Sequence, residues 1–236
     1  MANNALARIE IALRERKLDR TLTTALAPLE CNDASAFIPF GVEAIDAVLR
    51  GGLPRGQVSE IAGSPSSGRT TLLLQLLGVA TQGEIAALVD TCDRFDVASA
   101  AAAAIDLDRL LWIRGETGPP ERVVDRAIKA LTLVLQAGGF ALVAIDLADV
   151  HPRVLRSLPF TTWLRLQRIV EGSDTVCLLV TPEPLARSAG GLTVMCTGQT
   201  RWESHRVTGL ETEIRVVSPR RRVDGQARMT AVANDY

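Results

Sequence analysis

The sequence predicts an α/β fold, a mainly parallel, twisted sheet flanked by helices, with antiparallel strands at its C-terminal end. Three observations predict it. Apolar runs of strand length alternate with helical apolar periods between residues 58 and 181, the order a parallel sheet with right-handed crossovers requires. The first such strand runs into Gly63-Ser64-Pro65-Ser66-Ser67-Gly68-Arg69-Thr70-Thr71, which meets the phosphate-binding loop pattern G-x-x-x-x-G-K-[ST] everywhere except at Arg69. Beyond Gly191 the pattern changes to short strands separated by turns.

Bulk properties narrow the field. There are 26 Lys plus Arg against 27 Asp plus Glu, a net charge of −1, so any contact with nucleic acid must use a local patch. A hydrophobic content of 47% supports a buried core. The basic residues are almost all arginine, the lysines being Lys17 and Lys129. Cys31, Cys92, Cys177 and Cys196 form no close pairs, which suggests neither a zinc site nor a disulfide framework. Reduced thiols of a cytoplasmic protein are the expectation. No apolar run approaches the roughly 20 residues that span a bilayer, and no signal-peptide pattern opens the chain, so no membrane contact is expected.

Taken in order, residues 5–18 place Leu6, Ile9, Ala12 and Leu13 among Arg8, Arg14, Arg16 and Lys17 at helical spacing, an amphipathic helix suited to packing on its own core or to self-association. Residues 1–38 are read as this helix and a linker, residues 39–236 as the core domain. Residues 58–62, 84–90, 110–114, 140–146 and 175–181 are buried-strand patterns. Residues 95–105 form an alanine-rich helix. Pro119 and Pro120 open another from 121 to about 136, with Val124, Ile128, Leu131 and Leu135 on one side, and Gly138-Gly139 ends it. Residues 154–170 read as one further helix. Residues 191–196, 210–217 and 226–232 are the tail strands, with Arg220-Arg221-Arg222 at a turn.

The loop is the chemical centre. Glycines let successive backbone N–H groups converge, and the helix that follows adds its free N–H groups and positive dipole end. Gly63, Ser66, Ser67, Gly68, Arg69, Thr70 and Thr71 are therefore the nucleotide-binding candidates. Thr70 and Asp146, which ends an apolar strand, are the candidate metal residues. An acid at a strand end also serves as a turn residue, and that alternative stays open. Arg69 keeps the charge of the usual lysine in a planar, forked group, a change of chemistry.

From Gly41 to Thr71 the chain resembles the RecA/RadA recombinase family, in a "G-x-x-x-[IL]-D" opening (Gly41 to Asp46), "GGLP-x-G" (Gly51 to Gly56), "[IV]-x-E-I-x-G" (Val58 to Gly63) and the loop itself. The resemblance implies a RecA-like core that binds ATP or ADP with Mg²⁺. It also locates departures. The family's catalytic glutamate, two residues after the aspartate matched by Asp90, falls on Cys92; neighbouring Asp93 is the weak candidate for a base. The adenine-stacking tyrosine falls on Ser99, and the γ-phosphate-sensing glutamine on Pro182. Both DNA-binding loops are compact. Within the family, the short chain and the segment from Ala186 to Val194 resemble ImuA-like proteins. That implies an accessory or scaffold role in the DNA damage response and error-prone translesion synthesis, with weak or no ATPase, beside an inactive Y-family polymerase homologue and an error-prone replicative polymerase. It implies a cytoplasmic, nucleoid-associated site of action. The alternative is an active RecA/RadA-like DNA-dependent ATPase of recombination repair.

A basic stretch remains. Arg153, Arg156, Arg165 and Arg168 lie around Phe160 and Trp163, and Arg187 follows the fifth strand. Arginine with interleaved aromatics grips single-stranded DNA or forms a protein-binding hot spot. A half-buried helix with snorkelling arginines is the equal alternative.

Overall fold

The computed structural model describes residues 34–186, 191–217 and 226–232, all within one compact unit, Asp33–Tyr236. The chain enters through β1 (Phe37–Ile38), which pairs antiparallel with β2 (Leu53–Pro54) and brackets α1 (Glu43–Leu49). Next come β3 (Val58–Gly63), α2 (Arg69–Gly83), β4 (Ala86–Asp90), α3 (Val97–Ala102), β5 (Leu110–Arg114), α4 (Pro120–Ala137) and β6 (Leu142–Asp146). The described part ends with α5 (Pro152–Ser157), α6 (Phe160–Val170), β7 (Val176–Thr181) and three long strands, β8 (Thr193–Glu203), β9 (Arg206–Val216) and β10 (Gln226–Val232).

The main sheet has the order β10-β9-β8-β3-β7-β6-β4-β5. Strands β8, β3, β7, β6, β4 and β5 run parallel to their neighbours, and β9 and β10 are added antiparallel. The inner strands β3, β4, β6 and β7 are buried at every position but Asp146, because helices cover both faces and leave no wet side. Their period of two splits the core. Leu88, Ala144 and Leu178 face Leu72 and Leu76 of α2 and Ile45 of α1. Val89, Val143, Ile145 and Leu179 face Leu131 of α4 and Trp163 and Leu166 of α6. No described helix is long and apolar enough to cross a membrane.

Several boundaries move. The helix expected over 154–170 is two helices, α5 and α6, with Leu158 extended between them (φ −69°, ψ 132°). Pro159 causes the break, since its ring excludes the preceding residue from the helical region and it offers no N–H. The helix expected over 95–105 shortens to α3, because Asp96 caps it and Ala104 turns left-handed (φ 56°). Strands β4 and β6 each start two residues later than the apolar pattern suggests, and β8 and β9 extend beyond it into a long hairpin. The N-terminal helix expected at 5–18 and the Arg220-Arg221-Arg222 turn lie outside the described residues.

Candidate functional site

Strand β3 delivers the chain to the C-terminal edge of the sheet at Gly63, and α2 takes it away at Arg69. Between them Ser64, Pro65 and Ser66 are exposed while Ser67 and Gly68 are buried. Ser66 and Gly68 adopt positive φ, 58° and 90°, and the Ser67 N–H donates to Ser64 O at 3.2 Å, closing the turn. Helix α2 starts after Gly68 with no side-chain cap. Its first-turn N–H groups and positive dipole end are thus free for an anion.

The loop is also packed hard against the tail hairpin. A Cβ at Gly63 would lie 2.5 Å from both Cys196 O and Ser67 Oγ, and one at Gly68 2.1 Å from Thr212 Oγ1. One at Gly198 of β8 would lie 2.1 Å from Ser66 O. The hydroxyls of Ser67 and Thr212 are buried there without a hydrogen-bond partner.

Arg69 does not reach outward. It is 6% exposed, and its Nη1 donates to Thr181 O at 2.9 Å and Ala148 O at 3.4 Å, carbonyls at the end of β7 and just beyond β6. Burial pulls the guanidinium pKa down, and the fields of Asp146 and Asp149 oppose that. Burial pushes the Asp146 carboxyl up to about 6. The Ala148 N–H, which donates to Oδ1 at 2.9 Å, works the other way; Asp90 and Asp149 raise it further, and Arg69 lowers it. Thr70 is exposed at the start of α2 and Thr71 is half-buried. A phosphate group fits the loop's free N–H groups. Thr70, at the start of α2, and Asp146, at the end of β6, are the oxygen donors that would hold a divalent ion beside it. Among the described residues, no group of three His, Cys, Asp or Glu side chains is placed to hold a metal ion.

Beyond β7 and β6, the end of β4 has a different character. Asp90 accepts from the Arg94 N–H (2.9 Å), the Phe95 N–H (2.8 Å) and Trp112 Nε1 (3.2 Å). Burial, followed by the fields of Asp149, Asp146 and Asp90, pushes the Cys92 thiol up, so it stays protonated at neutral pH. Asp93 sits at φ 53° and accepts Arg114 Nε and Nη2, both at 2.8 Å. That pair holds its carboxyl below the usual carboxylate range, and Arg114 also lies 4.9 Å over the Trp112 ring. Asp96 caps α3, accepting the Ser99 N–H at 2.8 Å and the Ser99 hydroxyl at 2.6 Å.

The basic stretch divides. Trp163, taken from the sequence as a contact residue, is 4% exposed in the core between the sheet and α4; its bulk fills that core and is not available to a base or a partner. Phe160 is the exposed aromatic. Arg153 is exposed, and Arg156 is clasped by Glu183 through two 2.5 Å hydrogen bonds. Arg165 and Arg168 are exposed and, with Lys129, rim a groove of about 810 Å³ between α4 and α6 whose apolar lining includes Ile128, Leu133, Leu158 and Ile169. Arg187 lies outside the described residues.

Sequence reasoning passed over Thr181, Asp149, Gly198, Thr212 and Glu60. The last had a visible signal, an acid within the apolar run of β3. Its Oε1 accepts the Thr181 hydroxyl (3.1 Å) and the Leu185 N–H (2.7 Å), and burial pushes the carboxyl up to about 7. Glu60 thereby ties β3 to the segment leaving β7.

Comparison with known proteins agrees with this architecture. The RecA N-terminal domain family model matches residues 9–154, more than half of the 236-residue chain. The "Protein RecA" of Acidothermus cellulolyticus is 35% identical over 153 residues, 64% of this chain and 41% of that protein. That of Clavibacter michiganensis is 35% identical over 152 residues, 63% and 39% respectively. That of Symbiobacterium thermophilum is 36% identical over 111 residues, 46% and 30% respectively. The matched region spans about two-fifths or less of the length of these relatives. A parallel sheet with antiparallel closing strands, a glycine-rich loop opening a long helix at its edge, and a family model that covers most of the chain agree: the chain belongs to the RecA N-terminal domain family.

Proposed function

We propose that this chain is an accessory, scaffold-type member of the family in the DNA damage response, acting in error-prone translesion synthesis as ImuA-like proteins do, with a loop that holds phosphate and weak or no ATP hydrolysis. One observation carries the reading: the cation of the loop, Arg69, is buried and bonded to the Thr181 and Ala148 carbonyls. Two further features support it. The position of the family's catalytic carboxylate holds a protonated thiol, Cys92, and the acid beside it, Asp93, is committed to Arg114. Loss of a general base costs about 10²–10⁴ in rate, and a misplaced transition-state cation costs a comparable factor. Together these remove motor-like turnover. The partners by resemblance are a Y-family polymerase homologue and an error-prone replicative polymerase, with Arg165 and Arg168 on the surface offered to them. Steady-state ATP hydrolysis with and without single-stranded DNA tests the reading. The expected result is no DNA-stimulated turnover and no change on Asp146→Ala; brisk DNA-stimulated turnover abolished by Asp146→Ala overturns it.

The uncapped start of α2 and the retained Asp146 favour a second reading, a working DNA-dependent ATPase with Asp93 as base. Arg69→Lys separates the two. In a scaffold it leaves turnover near background, whereas in a tuned ATPase it changes the rate sharply.

A further inference from the structure

Helices α4 and α6 lie over one face of the sheet and share the core that holds Leu131, Trp163 and Leu166. The groove of about 810 Å³ runs between their outer sides. Along α4 its lining extends from Asp125 to Gln136, a length of about 17 Å at the helical rise per residue. A helix of about three turns fits along it. The floor is apolar. Ile128, Leu158 and Ile169 are half-buried there. Leu133, in the middle of α4, is 67% exposed and lies outside both core clusters. Covering these side chains takes apolar surface out of water.

The rim is cationic. Lys129, Arg165 and Arg168 stand against one acid, Asp125, in a chain whose net charge is −1. Asp125 is already paired with Lys129 at 2.7 Å. Arg165 and Arg168 are exposed, lie one turn apart, and have no ion pair among the described residues. The two features together select the occupant. An apolar floor between two helices receives the apolar stripe of a third. Two unpaired guanidiniums at its edge call for carboxylates on the flank of that helix. A nucleic-acid strand is a poorer match. No aromatic ring lines the groove for a base to stack on, and the Thr132 hydroxyl is spent on Ile128 O at 2.7 Å. The chain's own segment 5–18 is also a poorer match, with four basic residues against two acids, the same sign as the rim.

We propose that the α4–α6 groove docks an acidic amphipathic helix of a protein partner, its apolar stripe over Leu133 and Ile169 and its Asp or Glu residues at Arg165 and Arg168. The proposal deepens the accessory reading and rests on it for the existence of a protein partner. ATP turnover tests that reading and peptide binding tests this one, so each can fail alone.

The probes are three fluorescein-labelled peptides of about four turns, cross-linked on the outer face to hold the helix. All carry the same stripe of leucines, flanked by Glu, Gln or Lys. Fluorescence anisotropy with the full chain is expected to show saturable binding of the Glu peptide, at least about tenfold tighter than of the other two. Leu133→Glu is expected to weaken that binding at least about tenfold. Arg165→Glu combined with Arg168→Glu is expected to reverse the order, so that the Lys peptide binds best. All three positions are exposed, and thermal melts check that the variants fold. Equal binding of the three peptides overturns the proposal, as does an order that the double charge reversal leaves unchanged, or no saturable binding up to about 1 mM. Single-stranded DNA that displaces the Glu peptide from the wild type and no longer binds the double variant would make the groove a nucleic-acid site and overturn it. Sedimentation showing a dimer that Leu133→Glu dissociates would give the groove to a second copy and overturn it too.

Discussion

The loop after β3 and the turn after β4 leave the same edge of the sheet, with β7 and β6 between them, and they are held in opposite ways. Backbone proximity fixes the loop: Gly63, Gly68 and Gly198 are places where β8 and β9 come so close that a Cβ has no room. Side-chain hydrogen bonds fix the turn, through Asp90 to Arg94, Phe95 and Trp112, Asp93 to Arg114, and Asp96 to Ser99. The difference bears on function. Shape imposed by sterics leaves N–H groups unspent, so the start of α2 still offers donors to an anion. Shape imposed by carboxylates spends them: Asp90, Asp93 and Asp96 each accept hydrogen bonds from within or beside the turn. The largest expected effect comes from breaking the steric side. Gly198→Ala sets a methyl group against Ser66 O and Ser67 Cα, backbone that cannot rotate away, and should destabilise the chain by about 3 kcal/mol or more. Urea unfolding checks this; a loss below about 1 kcal/mol would mean that the loop yields and is not held by packing.

Glu60 sharpens the contrast, because it is a carboxyl on the steric side that the structure has also consumed. Its native pKa of about 7 against 4.5 for the free group means that between those values the folded chain keeps a proton the unfolded chain has shed. The associated stability is therefore full below pH 4.5 and is lost as pH rises through about 7. Glu60→Gln should flatten this window and leave the variant more stable than wild type at about pH 8, by something on the order of 2 kcal/mol. Asp146, raised from 3.8 to about 6, gives a second, lower window with the same sign, which the Gln variant should retain. Urea midpoints measured across pH in both proteins decide the matter. Equal slopes in the upper window would place the Glu60 carboxylate in a better-solvated site than the hydrogen bonds to Thr181 and Leu185 describe.

The sequence carried the sheet well because its inner strands are mostly apolar, and burial on both faces writes itself into composition. Pro159 stood in plain view and should have divided 154–170, yet the helical spacing of Leu155, Trp163 and Leu166 masked it; all three do face one core, from two helices. The arms of the β8–β9 hairpin were missed because Gln199, Thr200, Arg201 and Glu203 are polar and exposed; only ladder hydrogen bonds define them, and those leave no periodic mark. The glycine-rich turn between β3 and α2 was legible in the sequence. Where Arg69 points was not, since its direction is set by carbonyls 79 and 112 positions away. The same holds for Asp93, whose partner Arg114 lies 21 positions on. A local pattern shows which groups are present; how they are spent depends on contacts distant in sequence.

The smallest expected effect falls on the turn, and it is informative because it is small. Asp93→Asn keeps the shape of the side chain and one acceptor for Arg114 while removing the charge. The pair is on the surface, where water screens it, so melting should be unchanged within error. Any ATP turnover the wild type shows should be unchanged as well, because a carboxylate held below its usual pKa by a bidentate guanidinium is a poor proton acceptor. If Asp93 were instead the base of a working ATPase, Asn would lower turnover by about 10²–10⁴. Arg114→Ala complements this by freeing the carboxylate. A rise in turnover on that substitution, lost again with Asp93→Asn added, would show that the turn holds back an acid able to activate water; no rise would show that Asp93 is spent on shape alone.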